Sequence, residues 1–155
     1  MGLVEIRRGL EAIVAIGQEV SRPIFLVLLA EVAGHVGQVE DGLHWLTEAL
    51  RVIEGGGQED LLAEAYRLQG TLRLCQTVPD VAQGEVCFQQ ALVIARRQQA
   101  KSWELRAATS LSRLWQQQGK QAEARELLGP IYGWFTEGFD AADLQEAQAL
   151  LEELA

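Results

Sequence analysis

Apolar residues recur at spacings of three and four along most of the chain, which is the period of an amphipathic helix. No stretch shows sustained alternation of apolar and polar residues, and no hairpin turn lies between β-branched runs. The pattern therefore predicts an all-α chain. About eight helices are expected, over residues 2–20, 22–36, 41–54, 59–76, 80–99, 102–118, 121–135 and 140–154.

Several residues mark the ends of these helices. Gly37 and Gly119 follow periodic runs and suit the left-handed conformation that commonly ends a helix. Asp80 and Ser102 each precede a helical pattern, and we expect both side chains to cap the helix that follows. Pro130 falls inside the seventh pattern, which predicts either a kink or a break into two pieces.

The chain also repeats itself. The turns at Gly37, Pro79 and Gly119 are separated by 42 and 40 residues. Each turn has a small residue before it, where the first helix should meet its partner, and another after it. These pairs are Ala30 with Gly42, Gly70 with Gly84, and Ser112 with Ala124.

This repetition resembles the tetratricopeptide repeat, in which helix hairpins stack because no single pair covers its own apolar face. It predicts an α-α superhelix of such hairpins in one domain, cut from a longer solenoid. The expected units are a half-repeat at 2–20, repeats at about 22–54, 59–99 and 102–136, and a terminal helix at 140–154.

The runs KSWELRAATSL and YGWFTEGFD, with LLAEAYRLQGTLRL upstream, are similar to the C-terminal repeat region of large bacterial signalling proteins. Those proteins carry a class III nucleotide cyclase or a protein kinase, a predicted ATPase and a long helical-repeat tail. The resemblance implies a sensing or protein-interaction role. It does not carry over a cyclase or ATPase activity, because the residues for those reactions belong to other domains.

Charge and composition limit the classes of partner that the chain can bind. The 155 residues carry a formal net charge of −9, which opposes binding to nucleic acid and to anionic membranes. The longest apolar run, 23–30, is too short to span a bilayer. Cys75 and Cys87 form no disulfide framework and no CxxC motif, so we expect two buried thiols in a reducing cytoplasm.

No residue set has the spacing of an active site, so we expect neither an enzyme nor a cofactor. His35 and His44 lie near Glu40 and Asp41, which makes a metal site conceivable. Because no HExxH or CxxC spacing supports it, surface histidines are the better interpretation.

In stacked helical repeats the first helix of each pair lines the concave surface. Its mixed charge favours a protein or peptide ligand. The residues expected there are Glu31, Glu64, Arg67, Thr71, Arg106, Thr109, Arg113 and Gln117.

Two other functions stay open. The segment 103–139, rich in Trp and Gly, is an alternative candidate for enclosing a small-molecule effector. A homodimer through the unpaired terminal helices is another. Trp45, Trp103, Trp115 and Trp134 are expected to pack between repeats rather than to line a groove.

Overall fold

The computed structural model describes Val4, Arg8 and residues 22–56 and 58–155. Apart from one short 3-10 turn, Glu59–Leu61, the elements of 22–56 and 58–155 are α-helices, and no strand lies in these ranges. The predicted all-α class is confirmed. The helices are α1 (Arg22–His35), α2 (Val39–Glu54), α3 (Leu62–Leu74), α4 (Val81–Arg97), α5 (Lys101–Gln117), α6 (Gln121–Gly133) and α7 (Ala142–Leu154).

These helices stack as hairpins. Each packs most closely on its neighbour in the chain, as α1 does on α2, α3 on α4 and α5 on α6. The first helices of successive hairpins also touch in order, α1 with α3, α3 with α5, and α5 with α7. We call α1, α3, α5 and α7 the first-helix layer. This is the predicted superhelix of hairpins; the expected helix at 2–20 lies outside the described residues.

Small residues let each hairpin close. A Cβ built on Gly42 would lie 3.2 Å from the carbonyl oxygen of Ala30, and one built on Gly70 would lie 3.0 Å from that of Gly84. In the third hairpin the Ser112 hydroxyl donates a 3.2 Å hydrogen bond to the carbonyl of Ala124. The small-residue contacts predicted from the repeat are therefore confirmed.

Three turns share one backbone design. Gly37, Gln99 and Gly119 have φ of 82°, 56° and 80°, in the left-handed region. The next residue in each turn donates its N–H to a carbonyl five residues back, as Gln38 does to Ala33. This is the Schellman motif, which satisfies carbonyls at the helix end. Gly37 and Gly119 thus end their helices as predicted.

The same motif corrects the expected start of α5. Because the turn closes through Gln99 and a bond from Ala100 N–H to Ala95, the helix begins at Lys101 with Ala100 in the cap position. Ser102 is already the second helical residue and caps nothing. Asp80, by contrast, accepts a 3.2 Å hydrogen bond from the backbone N–H of Gln83, so its predicted role is confirmed.

Pro130 does not break its helix, because α6 is continuous from Gln121 to Gly133. The proline removes only the bond to the carbonyl of Glu126. Glu126 is exposed, and α6 ends three residues after Pro130, so the missing bond falls in the last turns of the helix.

In the described residues the core divides into three clusters. One is built from α1, α2 and α3, a second from α4 to α7, and a small third one from Ala63, Ile94 and Ala95. Tyr66 on α3 packs against all three. The stack is therefore continuous across the boundary between the first and second hairpins.

Candidate functional site

Six of the eight residues predicted for the concave surface lie around two neighbouring cavities of the first-helix layer. Arg67 and Thr71 come from α3 at a spacing of four, which puts them on one face of that helix. The residues of α5 are also three or four apart, and α5 contacts α3 directly. The six are Arg67, Thr71, Arg106, Thr109, Arg113 and Gln117.

The larger cavity, of about 410 Å³, is called the groove below. Its floor is apolar and is formed by the side chains of Leu74, Phe88 and Leu114. Phe88 and Leu114 are almost completely buried, so the floor belongs to the rigid core. The rim is polar and consists of Arg67, Thr71, Cys75, Ser110, Arg113, Gln117 and Glu146.

The second cavity adjoins the groove and is much smaller, about 40 Å³. Arg67, Ser110 and Glu146 line both cavities. The smaller one is closed by Arg106, Thr109 and Asp143 and is lined mainly by polar atoms. It is large enough for a water molecule but not for a side chain.

A buried carboxylate organises the arginines. Glu64 accepts two hydrogen bonds from Arg67, of 2.6 Å to Nε and 2.9 Å to Nη2, and its Oε2 lies 3.0 Å from Nη2 of Arg106. Burial alone would lower the pKa of Arg67. The hydrogen bonds and charge of Glu64, with smaller contributions from Glu31 and Glu146, raise that pKa above its ordinary value instead.

This network changes the predicted site. Glu64 lies beneath the arginines and is buried, and Thr109 is buried with its hydroxyl donating to the carbonyl of Leu105. Both are therefore structural. Glu31, on α1, lines neither cavity and reaches the site only through its charge on Arg67.

The last helix supplies acidic residues that the sequence interpretation did not include. Asp143 lies 3.8 Å from Nε of Arg106, and Glu146 lies 3.7 Å from Nη2 of Arg113. The signal was present in the sequence, because the terminal helix predicted at 140–154 fits the first helix of a following repeat. Asp143 and Glu146 are three residues apart, so both could have been placed on the face that meets α5.

Cys75 was expected to be buried, and this prediction is wrong. It follows the last residue of α3 and is exposed at the rim of the groove. Cys87 is buried as predicted, and burial raises the pKa of its thiol.

A separate pocket of about 290 Å³ is lined in part by the segment 103–139, which was proposed to enclose a small molecule. Pro130, Ile131 and Trp134 form one side of it, and Arg96, Lys101 and Glu104 the other. Lys101 Nζ lies 5.2 Å from the centre of the Trp134 ring, within cation–π range. The Trp134 side chain is 57% exposed, so the expectation that it packs between repeats is wrong; Trp45 is buried as expected.

No metal site is formed by the residues that the structure describes. His35 and His44 are both exposed, and no group of three or more His, Cys, Asp or Glu residues in the described ranges is placed to hold an ion. Among these residues there is also no helix with the length and apolar character needed to cross a membrane.

No protein-family model matches this chain, and no curated protein matches it. The resemblance to bacterial signalling tails therefore stays a prediction from the quoted sequence runs.

Proposed function

We propose that this chain is a non-enzymatic module that binds a protein or peptide segment in the groove of the first-helix layer. The observation that carries the proposal is the groove itself, about 410 Å³ with an apolar floor and a polar rim. Such a surface suits a peptide that inserts one apolar side chain and hydrogen-bonds through its backbone.

The rim groups that face solvent are the ones available to such a peptide. Arg113 is 39% exposed, and its contact with Glu146 is long and lies at the surface. Exposed ion pairs of this kind contribute about 0–1 kcal/mol, so the guanidinium is readily released to a ligand. Arg67, held by Glu64 in the buried network, serves to fix the wall of the groove.

The resemblance to helical-repeat tails extends this proposal to the protein that would contain the module. We propose that the module is a regulatory or scaffolding part of a bacterial signalling protein in the cytoplasm. The net charge of −9 agrees with a protein partner better than with nucleic acid.

Selection from a displayed library of random peptides tests the binding role directly. We expect selected peptides to share an apolar residue and to lose at least about tenfold in affinity, or 1.4 kcal/mol, for Arg113→Glu and Gln117→Trp. Arg125→Glu is the matched control, since Arg125 is an exposed arginine on α6 outside the groove. Failure to select any peptide, or equal binding by all three variants, would refute the proposal.

The pocket at Trp134 favours a second candidate, an effector-sensing site. Lys101 faces the indole ring there, and Arg96 lines the same pocket. Both are paired with the carboxylate of Glu104, which leaves one net positive charge beside the ring, an arrangement suited to an organic anion that carries a flat ring. Benzoate and adenosine monophosphate are suitable probes in a thermal-shift assay. A stabilisation that grows with ligand concentration and is absent in Trp134→Ala supports this candidate; no shift with either probe rejects it.

A further inference from the structure

One face of α4 carries two exposed valines although it points away from the core. Val86, Gln90, Val93 and Arg97 recur at spacings of four, three and four, which places them along one side of the helix. Val86 is 51% exposed and Val93 is 60% exposed. Phe88, only two residues after Val86, is instead buried beneath the peptide groove.

This face borders a cavity of about 310 Å³ on α2, α3 and α4, called the α4 cleft below. Its apolar lining includes Leu62, Tyr66 and Ile94 in addition to the two valines. The Tyr66 hydroxyl donates a 2.8 Å hydrogen bond to Glu54, which fixes both side chains at the edge of the cleft.

The charges of the α4 cleft are self-complementary. It contains one acid, Glu54, and one base, Arg97, and both are exposed. Within the described part of the chain neither of them forms an ion pair, with each other or with another residue. Gln89 and Gln90 also line the cleft, and each amide both donates and accepts hydrogen bonds.

We propose that the α4 cleft is a homodimer interface in which two copies of this chain meet around a two-fold axis. In such an interface residue i contacts j and j contacts i. Glu54 of each copy then meets Arg97 of the other, so the contact forms two ion pairs while the valine stripes cover one another. An unrelated partner would need to supply a base, an acid and an apolar stripe in matching order, whereas a second copy carries all three.

This interface is separate from the terminal helices considered from the sequence, and it does not depend on peptide binding in the groove. The apolar stripe is narrow. Interfaces below about 1,200 Å² of total buried surface are typically weak, so we expect association in the micromolar range.

Sedimentation velocity tests the proposal with the full chain between about 1 µM and about 500 µM, a range that brackets micromolar dissociation constants. We expect the mass to rise from the 17.1 kDa of one chain towards twice that value. Val93→Lys should stay monomeric throughout. Val81→Lys is the matched control, because Val81 is an exposed valine of α4 outside the cleft, and it should associate like the parent chain.

Charge reversal identifies the two-fold pairing itself. Glu54→Arg alone and Arg97→Glu alone each place like charges opposite one another and should be monomeric. An equimolar mixture of the two variants restores both ion pairs in a heterodimer, and the double variant restores them in a homodimer. A monomeric parent chain, association unaffected by Val93→Lys, or single reversals that mixing does not rescue would each overturn the proposal.

Discussion

The helix that carries Gly70 passes so close to Gly84 that a Cβ on Gly70 would lie 3.0 Å from the Gly84 carbonyl oxygen. That Cβ would also lie 2.7 Å from Cε1 of Phe88. Phe88 is buried and forms part of the groove floor, so a ring displaced by that Cβ would have to shift towards the groove. The crossing of α3 and α4 thus sets the position of the groove floor.

Gly70→Ala should destabilise the chain by about 1–3 kcal/mol, the usual cost of overpacking a filled core. Alanine gains up to about 1 kcal/mol of helix propensity over glycine, but here the contact with backbone outweighs it. Chemical denaturation measures the difference. Gly133→Ala is the control, because a Cβ there meets nothing within 4 Å, so it should be neutral or stabilising. A Gly70→Ala variant as stable as the parent would show that the two helices can separate freely.

Glu64→Ala, which removes the carboxylate, should cost about 3 kcal/mol of unfolding free energy. The reason is that the partly buried guanidiniums of Arg67 and Arg106 lose their partner. Glu146→Ala is the matched control. Its pair with Arg113 is exposed and should contribute no more than about 1 kcal/mol. Denaturant titration of both variants provides the comparison, and equal losses would contradict the assignment of Glu64 as the buried centre.

The sequence predicted the hairpins well because their determinants are local. Helical periodicity, the glycines at turns and the small residues on either side each act within a single hairpin. The start of α5 was misplaced because Gln99 adopts the left-handed conformation, which a sequence pattern indicates only where a glycine stands. Comparison with the turns at Gly37 and Gly119, which have the same backbone conformation, could have placed the start of α5 correctly.

The candidate site was predicted less completely because burial depends on contacts between repeats. Helical periodicity predicted which residues of α3 and α5 share a face, but it cannot show that Glu64 lies beneath two arginines. The ion pairs with α7 are likewise contacts between separate helices. The sequence suggested a row of unpaired charged side chains on this face, whereas several of these side chains form ion pairs.

Asp80→Ala should cost about 1 kcal/mol, because the N-cap carboxylate satisfies the backbone N–H of Gln83 at the start of α4. Asp80→Asn should retain most of this stability, since the amide oxygen can accept the same bond. Ser102→Ala distinguishes the structure from the sequence interpretation. Ser102 is the exposed second residue of α5 rather than its cap, so this change should be neutral or should stabilise the chain by a few tenths of a kcal/mol, because alanine has the higher helix propensity. Comparable melting losses for Asp80→Ala and Ser102→Ala would be inconsistent with these helix starts.

The last prediction concerns the hydrogen bond between Tyr66 and Glu54. Burial, with the hydrogen bond and charge of Glu54, raises the pKa of Tyr66 from 10.0 to about 12. Between these values the folded chain keeps a proton that the unfolded chain has lost. The stabilisation is therefore complete below pH 10 and is lost as the pH rises through about 12.

Denaturation midpoints measured at increasing alkaline pH test this linkage. The decline above pH 10 should be shallower for Tyr66→Phe, which has no phenolic proton. For Glu54→Gln, which lacks the charge that helps to hold that proton, the decline should also start near pH 10 but should be smaller and end at a lower pH than in the parent chain. Glu146→Gln, which removes a carboxylate from the other side of the stack, should decline as the parent chain does. Parallel curves for Tyr66→Phe and the parent would mean that the phenol is equally acidic in the folded and unfolded states. That result would also remove Tyr66 as the residue that fixes Glu54 at the edge of the α4 cleft.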